Sequence, residues 1–389
     1  MADPGSHGAG HTLGYDAPVV RERALERGVG GGRKPVRVAV LGAGSVGREV
    51  VFGLLSGWQG PTFDLVGVAV RDIGKAEAAG MPIELLTDAP AHLLADDIDV
   101  MVELMGGEEP ARTLTAAALG AGVAVVTANK YVIARHGAAL EAEARRTGTP
   151  LRFEAAVMGG TPVLRLLAED LAGTRVLGSR GIVNGTTNYI LSEMTTRGIG
   201  YADALAEAQA AGYAEADPTT DVEGGDAADK LVILARLAFG VWLDRASIAT
   251  RVPDGRPGIT GVTAEDLAEA TKHGYTIRLL AVCQRAEDGS IEAGVAPTAV
   301  DVLAPISAIA GARNRVDIHT DRLGWISLEG PGAGGRATAN AVLADLAALI
   351  AGHGSTWGSM PVATSGVAQA LAPAEWFTGR SGARYPVAR

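Results

Sequence analysis

The chain has 389 residues, of which 47% are hydrophobic and 20% charged, so the sequence predicts two or three folded globular domains and excludes wholesale disorder. With a formal net charge of −10, the chain lacks the positive surface that nucleic acid requires, so we expect no nucleic-acid partner. A single cysteine excludes an intrachain disulfide, and no apolar run approaches the ~18 residues of a membrane span, so we expect a cytoplasmic protein with no membrane partner.

Residues 1–34 are rich in glycine, histidine, aspartate and arginine, and this composition predicts a flexible N-terminal tail. His7 and His11 are isolated within it, which favours solvated side chains over a metal site. Ordered structure is expected to begin near Val36.

From Val36 onward, short valine-rich runs alternate with helical patterns. The expected strands are residues 36–41, 63–70, 99–104 and 124–129, and an alanine-rich helix is expected over 108–120. Continuous apolar strands that alternate with helices are typical of a parallel sheet covered on both faces. The sequence therefore predicts an α/β fold with a doubly wound, Rossmann-type parallel sheet over residues 35–150.

The middle of the chain follows a different pattern. Helices are expected over 160–172, 187–197, 202–212 and 226–240, and strands over 178–184, 276–283, 290–300, 315–320 and 324–330. This segregation predicts a second, α+β domain over 151–330, in which the apolar surroundings of Cys283 favour a buried structural thiol over a nucleophile. Within 331–389, a helix over 338–352 is expected to return to the first domain, and the rest is assigned as a tail.

The turn after the first strand has the sequence GAGSVG at positions 42–47, which is G-x-G-x-x-G at the opening of a helix. Gly42 permits a tight turn, Gly44 lets the backbone approach a pyrophosphate, and Gly47 permits close packing of helix and strand. The helix N-terminus, at Ser45 and Val46, offers N–H groups to the same pyrophosphate. Because strand, turn and helix occur in the required order, the motif predicts a dinucleotide site, with a purely structural turn as the alternative.

Charged residues at the end of the second strand bear on which dinucleotide binds. Arg71 is suited to pair with the 2′-phosphate of NADP, whereas Asp72 is suited to accept a hydrogen bond from the 2′-hydroxyl of NAD. With Lys75 nearby, the balance favours NADP(H), with NAD(H) as the alternative. A loop of merely solvated charges is also compatible with this pattern.

The stretch 212–230 gathers six carboxylates and one lysine around the start of an apolar helical pattern. Asp226 is predicted to be the N-cap of that helix, and Lys230, four residues later, faces the same side. A lysine held there is a candidate for acid–base chemistry. The alternative is a capping residue in a surface ion pair, and a divalent-metal cluster is disfavoured because the stretch has no histidine.

A second lysine, Lys130, follows directly after a predicted parallel strand. Ligands of open α/β sheets bind outside the carboxyl ends of the strands. Lys130 is therefore a candidate for contact with a substrate or a cofactor.

Taken together, these motifs resemble those of the homoserine dehydrogenases over about residues 36–352. The matching blocks are GAGSVG (42–47), ELMGG (103–107), TANK (127–130), FEAAVMGGTP (153–162), GIVNGTTNYIL (181–191), the stretch 212–230 and PGAGGRATA (331–339). The resemblance implies an NAD(P)-dependent oxidoreductase that interconverts L-aspartate 4-semialdehyde and L-homoserine in threonine, methionine and isoleucine biosynthesis.

The resemblance also implies roles for individual residues. Lys230 matches the catalytic acid–base lysine, and Lys130 matches a lysine between cofactor and substrate. Asp226 and Glu215 match residues that bind the substrate's amino group and position its reacting end. Asp221 matches a further active-site acid.

Cofactor and ion sites are implied in the same way. Gly212 and Gly332 match positions that line the cofactor site. A sodium site, which the resemblance alone suggests and which normally uses three backbone carbonyls, is matched by Glu154, Val157, Gly159 and Thr161.

Further expectations concern assembly and regulation. The resemblance implies a homodimer formed through the β-rich second domain, and the short C-terminal segment predicts that a regulatory ACT domain is absent. Two rival functions stay open at this point. One is another NAD(P)-dependent amino-acid oxidoreductase, of the aspartate dehydrogenase kind, and the other is a non-catalytic dinucleotide-binding sensor.

Overall fold

The computed structural model describes residues 35–56, 63–95, 97–250 and 255–388. The predicted N-terminal tail, with His7 and His11, lies outside the described residues. Among the residues that the structure describes, no helix combines the length and apolar character needed to cross a membrane.

Six parallel strands form the first sheet. They are β1 (Val36–Leu41), β2 (Phe63–Ala69), β3 (Leu86–Thr87), β4 (Val100–Glu103), β5 (Ala124–Thr127) and β6 (Leu151–Arg152). Their order, β3-β2-β1-β4-β5-β6, is that of a Rossmann-type doubly wound sheet, so the predicted fold of this region is confirmed. Two-residue strands such as β3 and β6 carry too little pattern to be seen in the sequence.

A second, mixed sheet follows in the chain. Its strands, together with the separate pair β8 and β13, are β7 (Val176–Ile182), β8 (Val241–Leu243), β9 (Tyr275–Arg285), β10 (Ile291–Asp301), β11 (Arg313–Thr320), β12 (Gly324–Pro331), β13 (Thr364–Gly366), β14 (Trp376–Thr378) and β15 (Arg384–Ala388). The strand order is β12-β11-β7-β9-β10-β15-β14. The predicted second domain with its own sheet is confirmed, but the segment after residue 352 is not a tail, because β15 pairs with β10.

The α-helices pack against the strands of both sheets. Their bounds are α1 (Ser45–Leu55), α2 (Ile73–Ala78), α3 (Pro90–Ala95), α4 (Ala111–Gly120), α5 (Lys130–Thr147), α6 (Val163–Arg165), α7 (Gly185–Arg197), α8 (Tyr201–Ala210), α9 (Thr219–Val222), α10 (Gly225–Phe239), α11 (Ala264–Lys272) and α12 (Gly335–Ile350). One predicted helix, 160–172, is wrong in extent. Pro162 supplies no backbone donor and α6 starts only after it, then widens at once into a π-turn over Leu166–Asp170.

Two helices join the halves of the molecule. Helix α12 packs along α1 of the first sheet, as predicted, and α10 packs between α5 and strands β9 and β10. A buried ion pair fixes α10 against α5, because the Arg236 guanidinium donates two 2.8 Å hydrogen bonds to the Glu141 carboxylate. Trp242 Nε1 donates to the same carboxylate at 2.8 Å. The first residues of α5 and α10 are thereby held close together.

Candidate active site

The glycine loop has the geometry that a dinucleotide requires. Gly42 has φ +99°, a left-handed conformation, and a Cβ there would come within 2.6 Å of the Leu104 carbonyl oxygen. A Cβ on Gly47 would collide with the Gly42 carbonyl, so this glycine is required where helix α1 meets the turn. A Cβ on Gly44, by contrast, would meet no described atom within 4 Å, which leaves an open approach to the first turn of α1.

That first turn is free to bind an anion. It contains no acidic residue, and no side chain caps it at Gly44. Ser45 and Val46 therefore present backbone N–H groups to the open side. The loop thus fits a dinucleotide pyrophosphate.

Arg71 and Asp72 lie beyond the end of β2, and β2 ends beside this loop, because Gly42 N donates to Ala69 O at 2.8 Å. The Asp72 carboxylate caps helix α2 by accepting from Lys75 N at 2.9 Å. Arg71 is exposed and makes no hydrogen bond or ion pair with the part of the chain that is described. The acid is therefore engaged locally, whereas the guanidinium is available to a ligand.

A second glycine-rich turn approaches the same place. The strand–helix connection between β12 and α12 contains Gly332 and reaches Ser45, whose carbonyl oxygen would lie 2.6 Å from a Cβ on Gly335. Gly332 is buried. Gly212 lies at the end of α8 with φ +77°, exposed and with open space beside its Cα.

Two lysines share one buried carboxylate at the junction of the two halves. Lys230 Nζ donates to Asp226 Oδ2 at 2.8 Å and to the Val183 carbonyl at 2.6 Å. Lys130 Nζ lies 3.0 Å from the other oxygen, Asp226 Oδ1. The Lys230 side chain is 10% exposed and the Lys130 side chain 39%, so Lys130 is the more accessible of the two lysines.

The predicted capping role of Asp226 is wrong. Helix α10 begins at Gly225, and its N-cap is Gly224, which adopts φ +84° and uses no side chain. A left-handed glycine lets the chain turn sharply into the helix, so Asp226 falls within the first turn. Its carboxylate points to Lys130 and Lys230 instead of closing the helix end.

A second acid joins this group through an amide. Asn184 Nδ2 donates to Asp221 Oδ1 at 2.7 Å and to Asp226 Oδ2 at 2.8 Å. Thr186 Oγ1 lies 3.1 Å from Asp221 Oδ2 and 2.7 Å from the Tyr213 carbonyl. The five side chains of Lys130, Lys230, Asp226, Asp221 and Asn184 thus form one connected cluster, the lysine–acid cluster.

The charged groups of the lysine–acid cluster shift one another's pKa values. Burial alone would raise the pKa of Asp226, but the Lys230 and Lys130 ammonium groups outweigh it and hold that pKa well below its usual range. The charge of Asp226 in turn raises the pKa of Lys130. Burial, followed by the negative charge of Asp226, raises the pKa of Asp221.

The carboxylate of Asp229 makes further ionic contacts between α10 and its neighbours. The buried Asp229 carboxylate lies next in the chain to Lys230 and pairs with Arg245, and it lies 3.6 Å from Arg135 on α5. Burial raises the pKa of Asp229 even though the two guanidinium groups oppose it. This pairing is a second link between α5 and α10.

Glu215 lies apart from these contacts. Glu215 is exposed, and Gln209 Nε2 donates to its backbone carbonyl at 3.0 Å. In the described part of the chain, no hydrogen bond or ion pair joins its carboxylate to either lysine. Its predicted contact with a substrate stays a prediction.

The residues of the predicted sodium site lie in one buried turn after β6. The Glu154 carboxylate accepts from Leu164 N at 2.9 Å and Arg165 N at 2.8 Å. Burial, followed by the nearby Asp345 charge, raises the pKa of Glu154 to about 7. Val157 and Gly159 are buried, and within the described residues neither carbonyl accepts a hydrogen bond.

The fourth residue of that set, Thr161, is differently placed. Its N–H donates to the Met158 carbonyl at 2.9 Å, and its own carbonyl accepts from Val163 N at 2.9 Å. Met158 has φ +56°, the one positive φ at a non-glycine residue in the described ranges. Such a strained backbone is typical of functional turns.

Sequence reasoning missed Asn184, Thr186 and Val183. All three lie in the GIVNGTTNYIL block, whose resemblance signal was strong but gave no role to any of them. The spacing to Asp221 and Asp226 is about forty residues along the chain, so no local pattern pairs them. Cys283, in contrast, is buried as predicted, and burial raises its pKa to about 12.

Comparisons with known proteins cover most of the chain. A family model described as "Homoserine dehydrogenase" matches residues 162–347, and one described as "Homoserine dehydrogenase, NAD binding domain" matches residues 42–154. The chain is 46% identical to the homoserine dehydrogenase of Mycobacterium tuberculosis over 327 residues, which is 81% of this chain and 72% of that protein. It is 40% identical to that of Corynebacterium glutamicum over 85% of this chain and 77% of the relative.

Solved structures of homoserine dehydrogenases also align with most of this chain. A homoserine dehydrogenase from Thiobacillus denitrificans aligns with a TM-score of 0.80 at 39% identity, covering 86% of this chain and 80% of that one. A hyperthermophilic archaeal homoserine dehydrogenase in complex with NADPH aligns with a TM-score of 0.68 at 27% identity, covering 81% of this chain and 97% of that one.

Proposed function

The chain belongs to the homoserine dehydrogenase family, and from this premise we propose that it interconverts L-homoserine and L-aspartate 4-semialdehyde with NADP(H), a step of threonine, methionine and isoleucine biosynthesis. The observation that carries the proposal is the lysine–acid cluster. It joins Lys130, at the carboxyl edge of the parallel sheet, to Lys230 of the second domain through Asp226. A dinucleotide and a small amino alcohol are expected at this edge.

Lys230 is proposed as the acid–base residue. Two of its N–H groups are used by the Val183 carbonyl and by Asp226, which leaves the third for the substrate oxygen. In reduction Lys230 would give a proton to the oxygen of the aldehyde, and in oxidation it would take the hydroxyl proton. Lys130, whose charged form is favoured by Asp226, would orient the same oxygen.

The acids are proposed to bind the substrate's ammonium group. Asp221, Asp226 and Glu215 would pair with it by charge-assisted hydrogen bonds, which fix the distance between the reacting carbon and Lys230. Glu215 is exposed here, so its participation requires that the turn after α8 approach the bound substrate.

The cofactor is proposed to be NADP(H) in preference to NAD(H). When bound, the dinucleotide supplies or accepts the hydride. Gly42, Gly44, Ser45, Val46 and Gly47 would hold its pyrophosphate, with Gly212, Gly332 and Lys130 around the nicotinamide half. The preference is supported by Arg71, which is available for a 2′-phosphate, and by Asp72, which is engaged as a helix cap.

A sodium ion is proposed to bind at Glu154, Val157, Gly159 and Thr161. The proposal is supported by the buried carbonyls of Val157 and Gly159, because a buried acceptor without a partner is costly unless a cation or a donor meets it. Such an ion would stiffen the turn that contacts the loop containing Gly332. The carbonyl oxygen of Gly332 would lie 3.1 Å from a Cβ on Gly159.

A homodimer formed through the second sheet is also proposed. Support comes from its edge strand β12, where Trp325 is 53% exposed, and from Leu323 beside it at 59%. Exposed apolar side chains at a sheet edge are suited to contact with another copy. Sedimentation that gives one protomer's mass at working concentration would contradict this.

One assay tests the main proposal against its rivals. Purified protein with NADP⁺ or NAD⁺, L-homoserine and sodium should produce reduced nicotinamide, followed by its absorbance. A dehydrogenase acting on aspartate would respond to L-aspartate instead, and a sensor would bind NADPH without turnover. Absence of reduction with L-homoserine in folded, NADPH-binding protein would refute the proposed function.

A further inference from the structure

Asn184 is buried where strand β7 leads into helix α7, and its amide serves two purposes. The side-chain oxygen caps α7 by accepting from Thr187 N at 2.8 Å. The side-chain nitrogen gives both of its hydrogens to carboxylates, one to Asp221 and one to Asp226. The cap fixes which end of the amide carries nitrogen, because only the oxygen can accept from a backbone N–H.

The two carboxylates need such a bridge. Asp226 is compensated directly by Lys130 and Lys230, but in the described ranges no cation lies within ion-pair distance of Asp221. Buried Asp226 and half-buried Asp221 carry carboxylates that repel each other, and the repulsion favours protonation of one of them. A neutral group that donates to both holds them together while both stay ionised.

We propose that Asn184 is a positioning residue that holds Asp221 and Asp226 together as an ionised pair for the substrate's ammonium group, an inference that rests on the proposed function. Both hydrogens of its amide are already used, so Asn184 has none left for the substrate. It acts through the two acids and, through Asp226, on Lys230. Removal of the bridge should therefore affect substrate turnover and leave the dinucleotide site intact.

Two variants separate the bridge from the helix cap. Asn184→Ser and Asn184→Asp both keep an oxygen that caps α7, so the helix start is preserved. Serine removes the amide donors without adding charge. Aspartate has nearly the same shape as asparagine but puts a third carboxyl group against Asp221 and Asp226.

Asn184→Ser should lower kcat/KM for L-homoserine by about 100-fold, since a small misplacement of reacting groups costs that much, with the NADPH dissociation constant within about twofold of the unsubstituted protein. The kcat/KM of Asn184→Asp should be lower still at pH 8 and should rise again as the pH falls, because a protonated carboxyl can again donate a hydrogen bond to one of the two acids. The ammonium groups of Lys130 and Lys230, which pair with Asp226, would favour the ionised form of the introduced carboxyl. The carboxylates of Asp221 and Asp226 are in direct contact with position 184, so we expect their repulsion to dominate.

Thermal unfolding gives a readout that needs no turnover. Burial and the two neighbouring acids raise the folded-state pKa of the carboxyl in Asn184→Asp, so the folded protein holds its proton more tightly than the unfolded chain does. Its melting temperature should therefore fall below that of Asn184→Ser as the pH rises from 5 to 8. Asn188→Ser is the matched control, because the Asn188 amide lies on the same helix and its hydrogen bonds within the described part of the chain go to backbone carbonyls, those of Ile309, Gly311 and Arg313. It should lower the melting temperature without changing the pH profile.

The inference is overturned if Asn184→Ser turns over L-homoserine within twofold of the unsubstituted protein. It is equally overturned if Asn184→Asp has unchanged pH profiles of both activity and melting temperature. Should the unsubstituted protein itself be inactive, the proposed function fails, and the melting curves alone then decide whether Asn184 bridges an ionised pair.

Discussion

Lys230 and Asp226 lie one turn apart on helix α10, and Lys230 Nζ donates to Asp226 Oδ2 at 2.8 Å. The other oxygen of this carboxylate faces Lys130 from the first domain at 3.0 Å. One buried acid therefore sets the separation of two amines that come from different domains. The site exists only when α5 and α10 are docked.

Lys230→Ala should lower kcat for L-homoserine oxidation by about 10²–10⁴-fold, the usual contribution of a general acid–base residue. The NADPH dissociation constant, measured by fluorescence titration, should stay nearly unchanged, because the hydrogen bonds of Lys230 within the described residues go to Val183 and Asp226, not to the glycine loop. Lys272→Ala, which removes an exposed helix lysine, is the control and should be fully active. Near-normal turnover by Lys230→Ala would remove this lysine from the mechanism.

Asp226→Asn should destabilise the protein in a pH-dependent way. The folded pKa of Asp226 is lowered, so its ionised form adds stability above the unfolded pKa of about 3.9, and this is lost as the pH falls further. Loss of one partner of a buried ion pair costs about 3 kcal/mol at pH 7. Urea unfolding at pH 7 and pH 3 should show the difference shrinking at the lower pH, whereas the exposed control Asp170→Asn should show none at either. A difference that is constant with pH would contradict the assigned ionisation.

Two alanine substitutions in the glycine loop should affect different properties, NADPH affinity at Gly44 and folding stability at Gly47. Gly44→Ala has room for its methyl group, so unfolding should be nearly unchanged, but the methyl occupies the approach of the pyrophosphate and NADPH affinity should fall by at least ~10-fold. Gly47→Ala forces the helix away from the Gly42 carbonyl and should cost about 1–3 kcal/mol of stability. Urea unfolding and NADPH titration of both variants check this. Equal NADPH affinity in Gly44→Ala and the unsubstituted protein would exclude this loop as the pyrophosphate site.

Arg71→Ala should weaken NADPH binding by about 10-fold while NADH binding changes little, because only NADPH carries a 2′-phosphate for the guanidinium. Arg322→Ala removes an exposed arginine from the turn between β11 and β12 and is the charge-matched control. Both dissociation constants are measured by fluorescence titration at one fixed ionic strength. Equal losses for the two cofactors would mean that Arg71 does not read the 2′-phosphate.

Local patterns predicted the parts of the fold that local physics controls. Valine-rich runs followed by glycine turns and helices predict the parallel sheet, and the glycine spacing at Gly42, Gly44 and Gly47 predicts the shape of the loop. The pairing of Asp226 with Lys230 follows from their spacing of four on one helix. The strand β15 was not predicted, because its pairing with β10 depends on a partner more than eighty residues away.

The sequence alone determined the parallel, doubly wound character of the first sheet, the glycine loop and the helix that carries Lys230, because each follows from residue patterns within short stretches of the chain. Only the tertiary structure decided that Lys130 and Lys230 share the Asp226 carboxylate, that Asn184 joins it to Asp221, and that Gly224 rather than Asp226 begins the helix. The contacts of Asp226 with Lys130 and of Asn184 with the two acids join residues about forty to one hundred positions apart. Their geometry is set by how buried helices pack, which no short stretch of sequence encodes.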